Sequence, residues 1–439
     1  MTGVKSLLTT MNGASSALNQ ASTTPLGGTQ AWCVWLLAVA FVVYKFSVLT
    51  GYSIVNPSIQ KDVGLSVRDV ANLAATFTWV FAVCQLLSGA LLDRLGARKV
   101  LLPAIALETL GVVVFGLGTS YPALLAAQFI MAVGSCAAFV GAGYVGGQWF
   151  GIAKFSFMFG LVQFVSSIFS AFNENLFSLA LQHMEWRELF HWIAGAGVLL
   201  FVLATLYIRN PAPIEGPGLS EGVGPFLKDV WSNIVRTAKI PHVWIAAVWG
   251  ALVFGSLLAM GVVWAPKLLV LRGMPLGTAN IAASLPWVGL AVGCVVVPKW
   301  SDVIRHRKLP TLAGIVVQLA SLIALLYLGP AGTTTTMALC FLYGFGAAAH
   351  MLAFSTAADV VPPSLIGTSA AIVNGAMFAA GGILIATPGH IAASETAAGM
   401  PPSMQLAHHA AGPLLIGLAA SLLLAFLMRE TFPTKETPA

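Results

Sequence analysis

The stretch Gly89-Ala-Leu-Leu-Asp93-Arg94-Leu-Gly96-Ala-Arg98-Lys99 interrupts a chain that is otherwise mostly apolar. It places one acid, three cations and two glycines within eleven residues, between two long apolar segments. Gly89 allows one helix to approach another closely, and Gly96 permits a tight turn. Asp93 lies at a helix end, where it can accept hydrogen bonds from the nearby arginines or from backbone amides. Such a charge cluster can stabilise one state of a gate and release in the other.

The composition around this stretch is typical of a protein solvated by lipid. Of 439 residues, 58% are hydrophobic and 8% are charged, whereas soluble domains carry about 25% charged residues. Twelve segments supply the roughly 20 mostly apolar residues that a spanning helix needs. These segments begin near Ala31, Val70, Val100, Tyr121, Phe155, Leu189, Trp244, Thr278, Leu309, Thr335, Leu365 and Ala410. The sequence therefore predicts an all-α membrane protein with twelve transmembrane helices.

A long internal polar stretch divides the twelve spans into two groups of six. It opens with Pro and Gly residues that favour a linker, and it continues as the amphipathic segment Phe226–Ile240, which is predicted to lie on the cytoplasmic membrane surface. The predicted organisation is a disordered cytoplasmic tail, a six-helix bundle, a cytoplasmic linker, a second six-helix bundle and a cytoplasmic tail, at 1–30, 31–208, 209–243, 244–428 and 429–439.

The basic residues predict the orientation of the spans. With the N-terminus inside, the predicted cytoplasmic segments hold fifteen of the 21 Lys and Arg residues, and the opposite segments hold five. This bias is what the positive-inside rule expects, so both termini are predicted to be cytoplasmic. The net charge of +6 does not indicate nucleic-acid binding, because no Lys/Arg-rich face with interleaved aromatic residues is present.

The second half carries a decayed copy of the opening stretch. At a constant offset of 209 residues, Asp93, Arg98 and Lys99 are followed by Asp302, Arg307 and Lys308. Pro298 and Arg305 stand at the two glycine positions. Two homologous halves of this kind are typical of transporters with internal repeats.

The opening stretch is similar, at every defined position, to the G-x-x-x-D-R-x-G-x-R-K signature of the major facilitator superfamily (MFS). The resemblance extends from Ala31 to Met428 and implies two pseudo-symmetric six-helix bundles. Two departures limit what it implies. Gln128 stands where many proton-coupled members have an Arg, and the fifth span reads Gly160-Leu-Val-Gln163 where drug/proton antiporters have a Gly-Pro motif. The coupling role of that Arg is therefore not transferred, and multidrug efflux is disfavoured.

The resemblance places spans one, four, seven and ten around a central cavity. Helical periodicity independently groups polar and aromatic residues on one face of each of these spans, because residues seven and eleven apart lie within about 20° of one another. With one residue of span eleven added, the candidate substrate-binding residues are Lys45, Tyr52, Asn56, Gln128, Trp249, Tyr343, His350 and Asn374.

Lys45 is the most informative of these residues. A lysine deep in a span costs about 2.5–3.5 kcal/mol on insertion scales and marks a functional site by default. One interpretation is that its ammonium binds an anionic substrate. The alternative is that it pairs with Glu108 or Glu174, or extends toward water.

Two residues are candidates for proton coupling. His350 can titrate near neutral pH, although a buried histidine satisfied by its neighbours is an equal alternative. Glu108 in the third span is a candidate protonation site, with a structural helix–helix contact as the alternative.

The leading hypothesis is a secondary transporter that moves a small organic anion, a carboxylate, by proton-coupled alternating access. No P-loop, HExxH or GxSxG motif is present, so neither ATP hydrolysis nor enzymatic activity is predicted. We predict no cofactor and no metal site. We expect a monomer in a bacterial inner membrane, with the lipid bilayer and a small solute as its partners.

Two alternatives remain open at this stage. Residues Phe139–Phe150 and Tyr44-Lys45-Phe46 resemble a bacterial MFS branch with siderophore- and magnetosome-associated members, which implies transport of iron or a ferric chelate, in an intracellular membrane compartment if that branch applies. A transporter-like solute sensor is the other alternative, but its cytoplasmic segments would be short.

Overall fold

The fold was obtained as a computed structural model. The structure describes residues 27–151, 154–211, 223–329, 332–401 and 403–432. Every regular element in these ranges is a helix. The first half contains α1 to α6, which are Gly28–Val63, 67–95, 97–117, Tyr121–Phe150, Phe155–Ala180 and Trp186–Tyr207.

The short helix α7, Val223–Ala238, separates the two halves. In the second half, α8 runs through Pro241–Ala259, a π-helical turn at Met260–Trp264, and Ala265–Leu271. The helices α9 to α13 are Leu276–Ile304, Lys308–Tyr327, Thr333–Ala358, Pro363–Ala397 and Met404–Leu427.

These helices confirm the predicted all-α membrane fold with twelve spans. Ten helices of the described chain are long and apolar enough to cross a membrane. One of them, Thr76–Leu117, covers two spans, and α5 adds another whose apolar run, Phe155–Phe169, is shorter. Helix α1 begins three residues before the predicted start, and residues 1–26 of the predicted tail lie outside the described ranges.

Gly96 separates α2 from α3. Its φ of 76° and ψ of 168° break an otherwise continuous helix, and a residue with a side chain would be strained there. We call the end of the bundle that carries residues 89–99 the motif end. Both described chain ends lie there: the Gly27 amide donates to the Trp149 carbonyl, and the Glu430 carboxylate accepts from the Arg307 amide.

The two halves are in close contact on the motif-end side. A Cβ on Gly89 would collide with the carbonyl oxygen of Gly367, so α2 and α12 pack backbone to backbone. A Cβ on Gly160 would collide with the Cys294 carbonyl in α9. These small residues let the helix backbones approach closely. Van der Waals packing of this kind helps to hold helices together in a membrane, where the hydrophobic effect does not.

The apolar face of helix α7 packs against the first half. Its side chains Phe226, Val230 and Ile234, spaced four residues apart, are buried against Ala90 in α2. The predicted place of this helix at the membrane surface stays a prediction. The pattern indicates an apolar partner without identifying it, and the exposed Trp231 lies on another face.

The contact at Gly89 yields a first prediction. Gly89→Ala should destabilise the protein by about 1–3 kcal/mol through overpacking, because the new methyl group meets the backbone of α12. Thermal unfolding of the purified protein in detergent measures the effect. Gly382→Ala is the matched control, since a Cβ there has nothing within 4 Å. Equal melting temperatures for the two variants would contradict the backbone contact.

Candidate functional site

A small cavity lies between the two halves near the middle of the spans. Its volume is about 20 Å³, which is room for a water molecule rather than for an organic solute. The first half contributes α1, α4 and α5, and the second half contributes α8, α11 and α12. The lining residues are Lys45, Phe46, Phe139, Gln163, Phe254, His350, Phe354, Asn374, Met377 and Phe378.

Lys45 is the cation of this lining. Its side chain is 1% exposed, and its ammonium lies 4.4, 4.5 and 5.1 Å from the ring centroids of Phe46, Phe81 and Phe378. Each such contact can stabilise a desolvated ammonium by about 0.5–2 kcal/mol. Phe81 and Phe378 come from opposite halves, with centroids 5.0 Å apart. The charge therefore lies at the interface where the halves separate.

Glu108 is one of the two predicted partners of this cation. It is fully buried in α3. Within the described residues it forms no direct ion pair, and neither carboxylate oxygen accepts a hydrogen bond. The side chain of Glu174, the other predicted partner, lies outside the described part of the structure.

His350 and Asn374 reach the cavity from the second half. The His350 Nδ1 lies 2.8 Å from the Ala347 carbonyl; since a carbonyl only accepts, Nδ1 donates. The ring packs against Phe254 at 4.6 Å. The Asn374 Nδ2 is buried without a hydrogen-bond partner among the described residues. Its amide is therefore available to a solute.

The structure brings three of the eight candidate substrate-binding residues together and places five outside the cavity lining. Tyr52 donates to the Val70 carbonyl at 2.8 Å, within the first half. The Trp249 carbonyl accepts from Ser421 at 3.1 Å, within the second half. The remaining three, Asn56, Gln128 and Tyr343, each carry a buried polar atom without a described partner.

Gln163 lines the cavity although it was not a predicted binding residue. It lies on α5, which is not one of the helices that the resemblance placed around the cavity. Its Nε2 donates to Ser167 at 3.0 Å. An uncharged polar residue in an apolar span is the only signal that the sequence offers for it.

Asp93 fastens the two halves at the motif end. Its carboxylate accepts from the amides of Gly367 and Thr368 at 2.8 and 2.7 Å and from the Thr368 hydroxyl at 2.7 Å. These donors lie at the N-terminus of α12, where exposed amides and the helix dipole favour a negative charge. We call this contact the Asp93 latch.

The cations of the same stretch bind within their own half and to α7. Arg98 donates to the Thr205 carbonyl at 2.9 Å and to the Ile208 carbonyl, at the C-terminal end of α6. Arg94 pairs with Asp229 of α7 at 3.2 Å. Lys99 is exposed. The stretch thus joins the interhelical turn to three other elements.

The second copy of the stretch makes no equivalent bond across the halves among its described contacts. Arg307 is buried and pairs with Asp302 at 2.6 Å and Asp359 at 3.1 Å. Burial raises the pKa of Asp359 to about 6, while the Arg307 guanidinium opposes the rise. Lys308 donates to the Phe426 carbonyl at 2.6 Å, at the end of α13. All of these partners belong to the second half.

Two helical bundles that meet around a cavity at mid-membrane and are fastened at one end define a membrane transporter. The chain belongs to the Major Facilitator Superfamily, whose family model matches residues 35–386. It is 26% identical over 401 residues to the "Probable galactarate/D-glucarate transporter GudP" of Bacillus subtilis (strain 168), covering 81% of this chain and 84% of that protein.

Two solved structures share this fold. The MFS transporter FucP in the outward conformation matches with a TM-score of 0.67 at 16% identity, covering 90% of this chain and 98% of FucP. A bacterial homologue of the iron transporter ferroportin in the outward-facing state matches with a TM-score of 0.71 at 13% identity, covering 90% and 99%. At these identities the likeness concerns the fold alone.

The Asp93 latch yields a second prediction. Asp93→Asn should raise the ratio of molecules open at the motif end to molecules closed there by more than ten-fold. The reason is that a hydrogen bond to a charged group contributes about 1.5–3 kcal/mol. Double electron–electron resonance between spin labels at the exposed positions 206 and 303 measures the distance between the two halves at the motif end. Asp302→Asn is the matched control, since the Asp302 partner lies within its own half. An unchanged distance distribution in Asp93→Asn would contradict the latch.

Proposed function

We propose that this protein is a secondary transporter that carries a small organic anion across a bacterial inner membrane by alternating access. The observation that carries the proposal is the Lys45 ammonium, buried in the cavity at the interface of the halves. An anion bound there neutralises a charge that the apolar surroundings stabilise only in part. A site between two rocking halves can be exposed to each side in turn.

The name of the Bacillus subtilis relative supports this class of solute. That protein is named for galactarate and D-glucarate, which are carboxylates. A carboxylate offers two acceptor oxygens to an ammonium, and charge-assisted hydrogen bonds of this kind are about twice as strong as neutral ones. Asn374 supplies a further donor on the opposite half. Substrate contacts from Lys45, His350 and Asn374 form our proposed binding site.

The proposal includes coupling to protons through Glu108. In this proposal Glu108, which is buried in α3, is ionised in the empty site and offsets the charge of Lys45. When a carboxylate solute binds Lys45, two negative charges face one ammonium in a dry region, which is costly. Protonation of Glu108 restores neutrality, so the anion and a proton move together. His350 remains the second candidate proton carrier from the sequence.

The orientation and organisation are also proposals. Because the predicted cytoplasmic segments hold fifteen of the 21 Lys and Arg residues, we infer that the motif end and both termini face the cytoplasm. We propose that the segments 31–208 and 244–428 form the two bundles, with 209–243 as linker, and that one chain suffices for transport.

The described residues offer no comparable support for transport of iron or for a role as a solute sensor. The residues that the structure describes contain no group of three or more His, Cys, Asp or Glu side chains that could hold a metal ion. The ferroportin homologue shares the fold and no more. The relative with a solute in its name is a transporter rather than a sensor.

A third prediction tests the role of Lys45. Two carboxylates, D-glucarate and the aromatic acid phenylacetate, serve as probes. Lys45→Met should weaken the binding of whichever probe the native protein binds by roughly 10–150-fold, which corresponds to the loss of a hydrogen bond to a charged group. Isothermal titration calorimetry on the detergent-purified protein measures the affinity. Lys267→Met is the control, because Lys267 also lies over an aromatic ring, Trp264 at 4.7 Å, but outside the cavity. Native-like binding by Lys45→Met would refute the assignment.

A fourth prediction tests proton coupling. Binding of the same anion should take up about one proton in the native protein and none in Glu108→Gln, which mimics the protonated acid and should still bind. Calorimetry in buffers of different ionisation enthalpy counts the protons. Glu395→Gln, which changes a carboxylate paired with His409, should keep the native count. Proton uptake that persists in Glu108→Gln would show that another group carries the proton.

A further inference from the structure

The cavity wall is unusual for a site that would hold a sugar acid. Five of its ten lining side chains are phenylalanine, and a sixth is methionine. Lys45 is the one Lys or Arg side chain among the described lining residues. The three uncharged polar residues are Gln163, His350 and Asn374.

The hydrogen-bonding capacity of these polar residues is already partly used. The His350 Nδ1 is committed to the Ala347 carbonyl, and the Gln163 Nε2 is committed to Ser167. The Asn374 Nδ2 is the amide donor of the lining that has no described partner. The site can therefore satisfy one carboxylate and few additional polar groups.

The aromatic side chains form two groups of contacting rings. Phe354 stacks on Phe159 with ring centroids 4.7 Å apart and lies 5.8 Å from Phe139. On the second half Phe254 lies 6.3 Å from Phe378. When the halves separate enough to admit a solute, these rings offer faces and edges to an apolar body. An aromatic pair contributes about 0.5–1.5 kcal/mol beyond its buried area.

A sugar acid would be penalised by the same wall. Each hydroxyl that loses water without gaining a partner costs about 1–3 kcal/mol, and a sugar acid carries several. A second carboxylate would lie among phenylalanine rings without a second permanent cation, which is costlier still. The lining thus selects by what it cannot satisfy.

We propose that the preferred solute is a monocarboxylate with a small apolar body, aromatic or aliphatic, rather than a polyhydroxylated mono- or dicarboxylate. The inference rests on the proposed function, since it takes Lys45 as the carboxylate site. It separates this chain from its Bacillus subtilis relative, whose name specifies polyhydroxylated dicarboxylates.

The test varies charge and hydroxylation independently. Calorimetric titrations of the full-length protein in detergent use four six-carbon acids: hexanoate, D-gluconate, adipate and D-glucarate. Phenylacetate is added as the aromatic probe. Hexanoate should bind at least ten-fold more tightly than D-gluconate and than adipate, phenylacetate should equal or exceed hexanoate, and D-glucarate should be weakest. Lys45→Met should weaken the binding by roughly 10–150-fold, and Lys267→Met should leave it unchanged.

The outcomes separate this inference from the proposed function. If D-gluconate or D-glucarate binds most tightly and Lys45→Met weakens that binding, the transporter binds anions at Lys45 and the apolar selectivity is wrong. If no acid binds, or if Lys45→Met binds like the native protein, the anion site itself is wrong and the selectivity falls with it.

Discussion

The centre of this protein is organised around a single ammonium that is held among aromatic rings at the interface of the two halves. Lys45 is surrounded by Phe46, Phe81 and Phe378, and the buried Glu108 carboxylate makes no hydrogen bond with it. Among the described residues, ring faces are the groups that contact this buried ammonium. Because two of the rings belong to opposite halves, any movement of the halves changes the surroundings of the charge. An ion at such a place links solute binding to conformation directly.

Much of the fold could be predicted from the sequence, because a bilayer allows few solutions. Each span must be helical and about 20 residues long, so apolar length alone predicts twelve helices. The stretch from Gly89 to Lys99 then specifies which family of bundles they form. What could not be predicted depends on neighbours. The apolar face of α7 is visible as a pattern, but its burial against Ala90 depends on where α2 ends in space.

The candidate site was predictable only in part, for the same reason. Lys45 is conspicuous because it is charged, and His350 and Asn374 because they are polar in apolar helices. Periodicity shows that Tyr52 lies on the same face as Lys45, yet its hydroxyl donates to the Val70 carbonyl near the start of α2. The phenylalanines that give the cavity its character carry no signal, since a Phe in a span usually faces lipid or core. They form a site only when α1 and α4 of the first half meet α8, α11 and α12 of the second.

The two copies of the charged stretch have taken different tasks. The first reaches across the molecule from Asp93 to α12, whereas the second secures Arg307 to Asp302, Asp359 and the chain segment at Glu430, all in its own half. The two halves resemble each other in fold, but only the first copy of the stretch bonds to the opposite half among the described contacts. With the motif end in the cytoplasm, as proposed above, the Asp93 contact closes the molecule toward the cell interior in this conformation. A solute in the cavity could then leave on that side only after Asp93 has let go of the amides at the start of α12.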